Sequence, residues 1–211
     1  MTAHYLATCF LIGVSAASGV GPIFLLTLNK SSLYGFWQGF ATAVGAALGD
    51  TMYFLLATLG LLSIVEGMGN AILFMEAVSS ILLIGFGIHL MHTKPKFDTH
   101  ATPVQQPLIL GTIKSFLLTI LNPFMLLFFI FVSINVLPDD LTPDSYKLLL
   151  LGSLCVGGGS LTILSLIATF GSLAGSKIKR SYLEMFSRVT GIIFASIGGY
   201  LLFDTAVKLM R

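Results

Sequence analysis

Charge is what this sequence has least of. Only 9% of its 211 residues are Asp, Glu, Lys or Arg, against about 25% in ordinary soluble domains. A soluble fold of this length leaves much of its chain facing water and needs charge to do so. With 55% hydrophobic residues and a mean hydropathy of +0.95, a water-soluble domain is excluded. Cysteine is nearly absent too. Cys9 and Cys155 each stand alone in an apolar run, so neither a disulfide framework nor a CxxC metal or redox spacing exists, and both read as small apolar filler. The eleven basic residues are scattered among short loops, which excludes a nucleic-acid surface. No Lys or Arg precedes the first apolar run, and that run continues past Ser15-Ala16-Ala17-Ser18. It is a retained span rather than a signal peptide.

What is present is a set of six apolar runs, at about 4–28, 38–62, 71–91, 115–136, 147–173 and 189–207. Each approaches the roughly 20 residues that a helix needs to cross a bilayer. Alternating ten-residue strands are missing, and open strands cannot satisfy their backbone in lipid, so the runs are helices. The expected fold is an all-α integral membrane protein with six transmembrane helices in two inverted three-helix halves. Residues 1–91 form the first half, 92–114 a cytoplasmic linker and 115–211 the second half. The linker is the one long polar stretch and carries three prolines. The first, third and fifth loops hold eight basic residues and the rest of the chain three. The positive-inside rule then puts those loops in the cytoplasm and both termini outside. Tyr34, Trp37, Tyr146 and Tyr182 fall near span ends, as interfacial aromatics do.

Duplication has some support. Leu55-Leu56-Ala57-Thr58-Leu59-Gly60 resembles Leu166-Ile167-Ala168-Thr169-Phe170-Gly171, and Pro22 has a counterpart in Pro123. Inverted repeats with broken helices in both halves are a transporter signature. Counted from the loops, however, both prolines fall on the cytoplasmic side, where mirrored counterparts would not.

Three features interrupt the apolar runs. Asp50 lies near the middle of span two, where a carboxylate costs about 2.5–3.5 kcal/mol on insertion scales. It must face protein or water, or take up a proton. The functional reading is a protonatable site in a polar pathway; the alternative is a structural acid held by a neighbouring helix. Gly19, Gly21 and Pro22 loosen span one. Backbone N–H groups freed there can bind a substrate carboxylate at a half-helix start, whereas the plainer reading is a proline kink. Asn122-Pro123 does the same in span four, with an amide that both donates and accepts. Ala41, Gly45 and Gly49 recur every four residues above Asp50. They form a smooth stripe for a neighbouring helix, which would hold Asp50 inside the bundle or serve a homodimer.

Other clusters carry less. Gly157-Gly158-Gly159-Ser160 has the composition of a phosphate loop but no following Lys and no strand, so it reads as close packing opposite span two. His89 and His92 with Asp98 and His100 suggest a metal, but a helix end followed by a solvated loop explains them. Glu76 and Asp204 can reach the interface. No catalytic set is present, so an enzyme has little support. No motif implies a cofactor.

At these residues the chain resembles the LysE/RhtB family of amino-acid exporters. Gly21-Pro22, Gly35, Gly39, Gly45, Gly49-Asp50 and Leu59-Gly60-Leu61 stand where the family's N-terminal signature has its fixed positions. Asn122-Pro123 resembles its NPK-type motif, and Ser187-Arg188-Val189-Thr190-Gly191 the start of its last helix. Val20 stands where the family usually has the first proline, and Phe124 where it usually has a lysine. The resemblance implies six helices in two inverted halves in a bacterial inner membrane. It further implies export of amino acids or related small zwitterions by proton antiport. Gly19, Gly21, Pro22, Asn122 and Pro123 would hold the substrate and Asp50 the proton or ammonium. Two other readings remain: a metal or inorganic-ion exporter, and a non-transporting membrane scaffold.

Overall fold

A computed structural model describes residues 2–65, 69–92, 107–136, 143–174 and 180–209. The described residues form eight helices: α1 (Thr2–Ser18), α2 (Pro22–Tyr34), α3 (Phe36–Val65), α4 (Gly69–His92), α5 (Leu108–Ile120), α6 (Pro123–Val136), α7 (Pro143–Ala174) and α8 (Arg180–Leu209). No strand occurs among the described residues. Among the described residues, three helices are long and apolar enough to cross a bilayer alone, over Phe36–Gly60, Tyr146–Ala174 and Ser187–Lys208. The pair Ala3–Ser18 and Pro22–Tyr34, bent by 73°, makes a fourth when taken as one span.

Several expected loop positions prove helical. Lys30, expected in a loop, lies inside α2, with its ammonium 5.0 Å from the centre of the Tyr34 ring. The helix runs through Asn29-Lys30-Ser31-Ser32 because Thr27, Leu28 and Ser31 are buried against neighbours, and packing outweighs the polarity of the segment. Lys114 belongs to α5, which begins at Leu108, before the expected start of span four. Arg188 likewise lies within α8. The linker residues 93–106, with Asp98 and His100, lie outside the described residues, as does the side chain of Glu76.

A single residue, Gly35, turns α2 into α3. Its φ of 87° and ψ of 172° fall in a region open essentially to glycine alone. No atom crowds the position where a Cβ would stand. Gly35→Ala should therefore cost about 1–3 kcal/mol through backbone strain alone. Thermal unfolding in detergent, compared with the unmodified protein, reads that loss.

α3 is the central helix and packs against α2, α5, α6 and α7. Its contacts fix the directions of its neighbours. Ala41, Gly45 and Gly49 meet Gly111, Thr112 and Thr119 in rising order, so α5 runs parallel to α3. Gly39 meets Ala168 while Ala47 and Thr51 meet Gly157, so α7 runs antiparallel to α3. α1 lies parallel to α7, with Tyr5 against Gly152 and Gly13 against Val156 and Ser160. α4 pairs with α8 in antiparallel fashion through Gly87, Gly191 and Gly198. Close approach at these glycines replaces the hydrophobic drive that lipid cannot supply.

One buried cluster joins Cys9 and Ile12 of α1 to Tyr53 and Phe54 of α3, Phe128 and Phe129 of α6 and Val156 of α7. Cys9 is buried in it, and Cys155 packs against it half-buried. Both are free thiols that fill apolar space. A second cluster joins Ala17, Ile23, Ala43, Ala46 and Leu164.

Candidate functional site at Asp50

Asp50 is 3% exposed and is the one charged side chain in the buried set among the described residues. Its Oδ2 accepts a hydrogen bond from the Ser160 hydroxyl at 2.5 Å. Two flat surfaces make this contact possible. On α7, Gly157 lets Ala47 and Thr51 of α3 come close, and Gly159 does the same for Phe10 and Val14 of α1. Ser160 follows directly and is fully buried. On α3, a Cβ at Gly45 would lie 2.1 Å from the Thr112 carbonyl oxygen, and one at Gly49 would lie 2.7 Å from the Thr119 methyl. The stripe Ala41, Gly45 and Gly49 therefore meets α5 and not a lipid-facing or second-copy surface. The Ala41 and Thr42 carbonyls accept from Thr112 and Ser115 at 3.0 and 2.5 Å.

The chain is broken twice beside this carboxylate. At the first break, the Gly21 N–H turns back to the Gly19 carbonyl at 2.7 Å, and Val20 is fully buried. α2 then starts at Pro22, whose missing N–H costs nothing at a first helical position. At the second break, Pro123 has no N–H for the Thr119 carbonyl. The Asn122 N–H takes that carbonyl instead, one residue short, at 3.1 Å. The Asn122 carbonyl starts α6 by accepting from Met125 and Leu126 at 3.1 and 3.3 Å.

The two breaks meet α3 on opposite sides of Asp50. Ala17 and Ile23, which flank the first, pack with Ala43 and Ala46. Ile120, at the edge of the second, accepts a hydrogen bond from the Tyr53 hydroxyl. Ala46 and Tyr53 are about 10 Å apart along the helix, with Asp50 between them. Counting from the loops puts both breaks on the cytoplasmic side. The early start of α5 and the 73° bend before α2 separate them instead.

The arrangement offers one buried acid, a buried hydroxyl donor and two turns of backbone with irregular hydrogen bonding. Each break also sits at a helix N-terminus, of α2 and of α6, where the helix dipole favours negative charge. Such a set can hold a cation or proton at Asp50 and polar groups of opposite character at the breaks. His89 and His92, by contrast, are exposed at the end of α4, and the His92 Nδ1 lies 2.9 Å from the Ile88 carbonyl. Asp204 pairs with Lys208 at 3.1 Å. No group of three His, Cys, Asp or Glu side chains among the described residues is placed to hold a metal.

Comparison with known proteins decides the class. A model described as the LysE type translocator matches residues 14–205. The chain belongs to that family. It is therefore a membrane protein of a transporter family. The chain is also 26% identical over 186 residues to an uncharacterized membrane protein of Synechocystis sp., covering 86% of this chain and 87% of that one. No solved structure matches it.

The sequence reading missed Ser160 as the partner of Asp50, and it missed the contacts of Tyr53 and Thr119 that join α3 to α5 beside it. The signal for Ser160 was present as the small-residue run before it. Tyr53 stands three residues after Asp50 and so shares its face of α3, but nothing local reveals its partner on α5.

Proposed function

We propose that this translocator exports amino acids or related small zwitterions by proton antiport, with Asp50 as the proton or ammonium site. The observation that carries the reading is the position of Asp50 between two backbone breaks. A zwitterion needs a negative group for its ammonium and N–H donors for its carboxylate. Asp50 supplies the first, and the starts of α2 and α6 supply the second. Phe124 in place of the family's usual lysine leaves the carboxylate to backbone donors.

The proposed mechanism is alternating access between two inverted halves, residues 1–91 and 115–211, in a bacterial inner membrane with both termini outside. The helix directions support such halves. α1 and α5 run parallel to α7 and α3, each first span packing on the second span of the other half. α3 with α7, and α4 with α8, cross antiparallel, as elements exchanged by an in-plane two-fold axis would. On this reading the α5–α6 pair is one broken span, the unbroken α4 is a further span, and the spans number six.

Proton movement in proteoliposomes of the purified protein, with each of the twenty common amino acids supplied in turn, tests the proposal. A proton signal tied to particular amino acids is expected. A signal with divalent metals alone would replace the reading by an ion exporter, and silence from folded protein would favour a scaffold. Ser160→Ala should lower the amino-acid-coupled flux by roughly tenfold to a hundredfold, since a hydrogen bond to a charged group contributes about 1.5–3 kcal/mol. An unchanged flux would remove Ser160 from the site.

A further inference from the structure

Tyr53 lies one turn beyond Asp50 on α3, nearly buried, and its hydroxyl donates to the carbonyl of Ile120. Ile120 is the last residue of α5 before the break at Asn122-Pro123. The backbone is irregular at this point. Leu121 sits at φ −86° and ψ 0°, its N–H on the Leu117 carbonyl at 2.8 Å, and the Asn122 N–H bonds one residue short. A side chain from another helix thus meets the broken end of α5 where its own ladder stops. The tie is reinforced from the other flank of Asp50, where Gly49 lies flat against Thr119 and the Thr119 hydroxyl bonds to the Ser115 carbonyl at 3.0 Å. The Tyr53 ring is fixed in turn by Phe129 of α6, with centroids 6.2 Å apart. Tyr53 therefore touches both sides of the break, α5 through its hydroxyl and α6 through its ring.

We infer that Tyr53 is a positioning residue. It holds the broken backbone of Ile120–Pro123 beside Asp50, so that the acid and the break act on one bound molecule. The inference rests on the proposed exporter reading, in which the break holds part of the substrate. The hydroxyl, not the ring, is the operative group. Without it the Ile120 carbonyl loses a part-buried donor and the break can drift from Asp50, while the apolar packing of the ring persists.

The test compares the full-length protein with Tyr53→Phe, which keeps the ring. Hydrogen–deuterium exchange in detergent should show faster exchange over 117–126 in the variant, with the rest of the chain unchanged. In proteoliposomes, an equimolar mixture of the twenty common amino acids is the probe. Its half-saturating concentration should rise about fivefold to tenfold, the loss expected of one hydrogen bond, with the maximal proton flux largely kept. Unchanged exchange over 117–126 would overturn the clamp. An unchanged half-saturating concentration would overturn the positioning role, whether the maximal flux holds or falls together with thermal stability. Absence of amino-acid-coupled flux in the unmodified protein would instead defeat the exporter reading, and the exchange measurement would still report on the clamp.

Discussion

Asp50→Asn is expected to abolish amino-acid-coupled proton flux while leaving the protein inserted and folded. Asparagine has the shape of aspartate and an Oδ1 that can still accept from Ser160. What it lacks is the capacity to carry a proton. It also removes the cost of a carboxylate at mid-span, about 2.5–3.5 kcal/mol on insertion scales, so the melting temperature should hold or rise. The energetics make the coupling worthwhile. One proton entering down about 150 mV releases roughly 3.5 kcal/mol, enough for a neutral solute gradient of some hundredfold. For a cationic substrate, one-for-one exchange is electroneutral and only the pH gradient drives it. Flux and thermal unfolding should be measured on the same preparation. Normal proton-coupled flux in the variant would make Asp50 a structural acid, held by Ser160 to join α3 to α7.

The second large effect concerns Gly45. Valine there should destabilise the protein by about 3–5 kcal/mol. Any Cβ at this position would lie 2.1 Å from the Thr112 carbonyl oxygen and 3.0 Å from the Phe116 nitrogen. Both are backbone atoms and cannot rotate away. α3 and α5 must then separate, at an overpacking cost of about 1–3 kcal/mol. The bonds from Thr112 and Ser115 to the Ala41 and Thr42 carbonyls go with the contact, at about 1 kcal/mol each. Gly60→Ala is the control, because no atom stands within 4 Å of its Cβ position. Better helix propensity should leave that variant neutral or up to about 1 kcal/mol more stable. Thermal unfolding in detergent measures both. A Gly45→Val protein as stable as its parent would show that α3 and α5 are not in contact.

Much of the site was legible in one dimension because its components are local defects. Proline lacks an N–H wherever it stands, so Pro22 and Pro123 mark helix breaks without reference to any neighbour. A lone carboxylate in an apolar run is conspicuous by cost alone, which singles out Asp50. The small residues at 41, 45 and 49 announce close packing by their spacing, though not what approaches them. Helix extent was less legible. Hydropathy detects the lipid-facing stretch and stops where polar residues begin. α2 nevertheless continues through Asn29–Ser32, and α5 starts ahead of the apolar run expected for span four.

The sequence alone determined the membrane class, the helical make-up, the two proline interruptions and the lone mid-span acid, since each follows from composition or from the chemistry of one or two residues. Only the tertiary structure decided that Ser160 meets Asp50 and that Tyr53 meets Ile120, across separations of 110 and 67 residues. It alone set the two breaks on either side of the carboxylate. The reason is physical. Which hydroxyl reaches which oxygen depends on how closely two helices approach and in what register, and both are fixed by glycines on several helices at once.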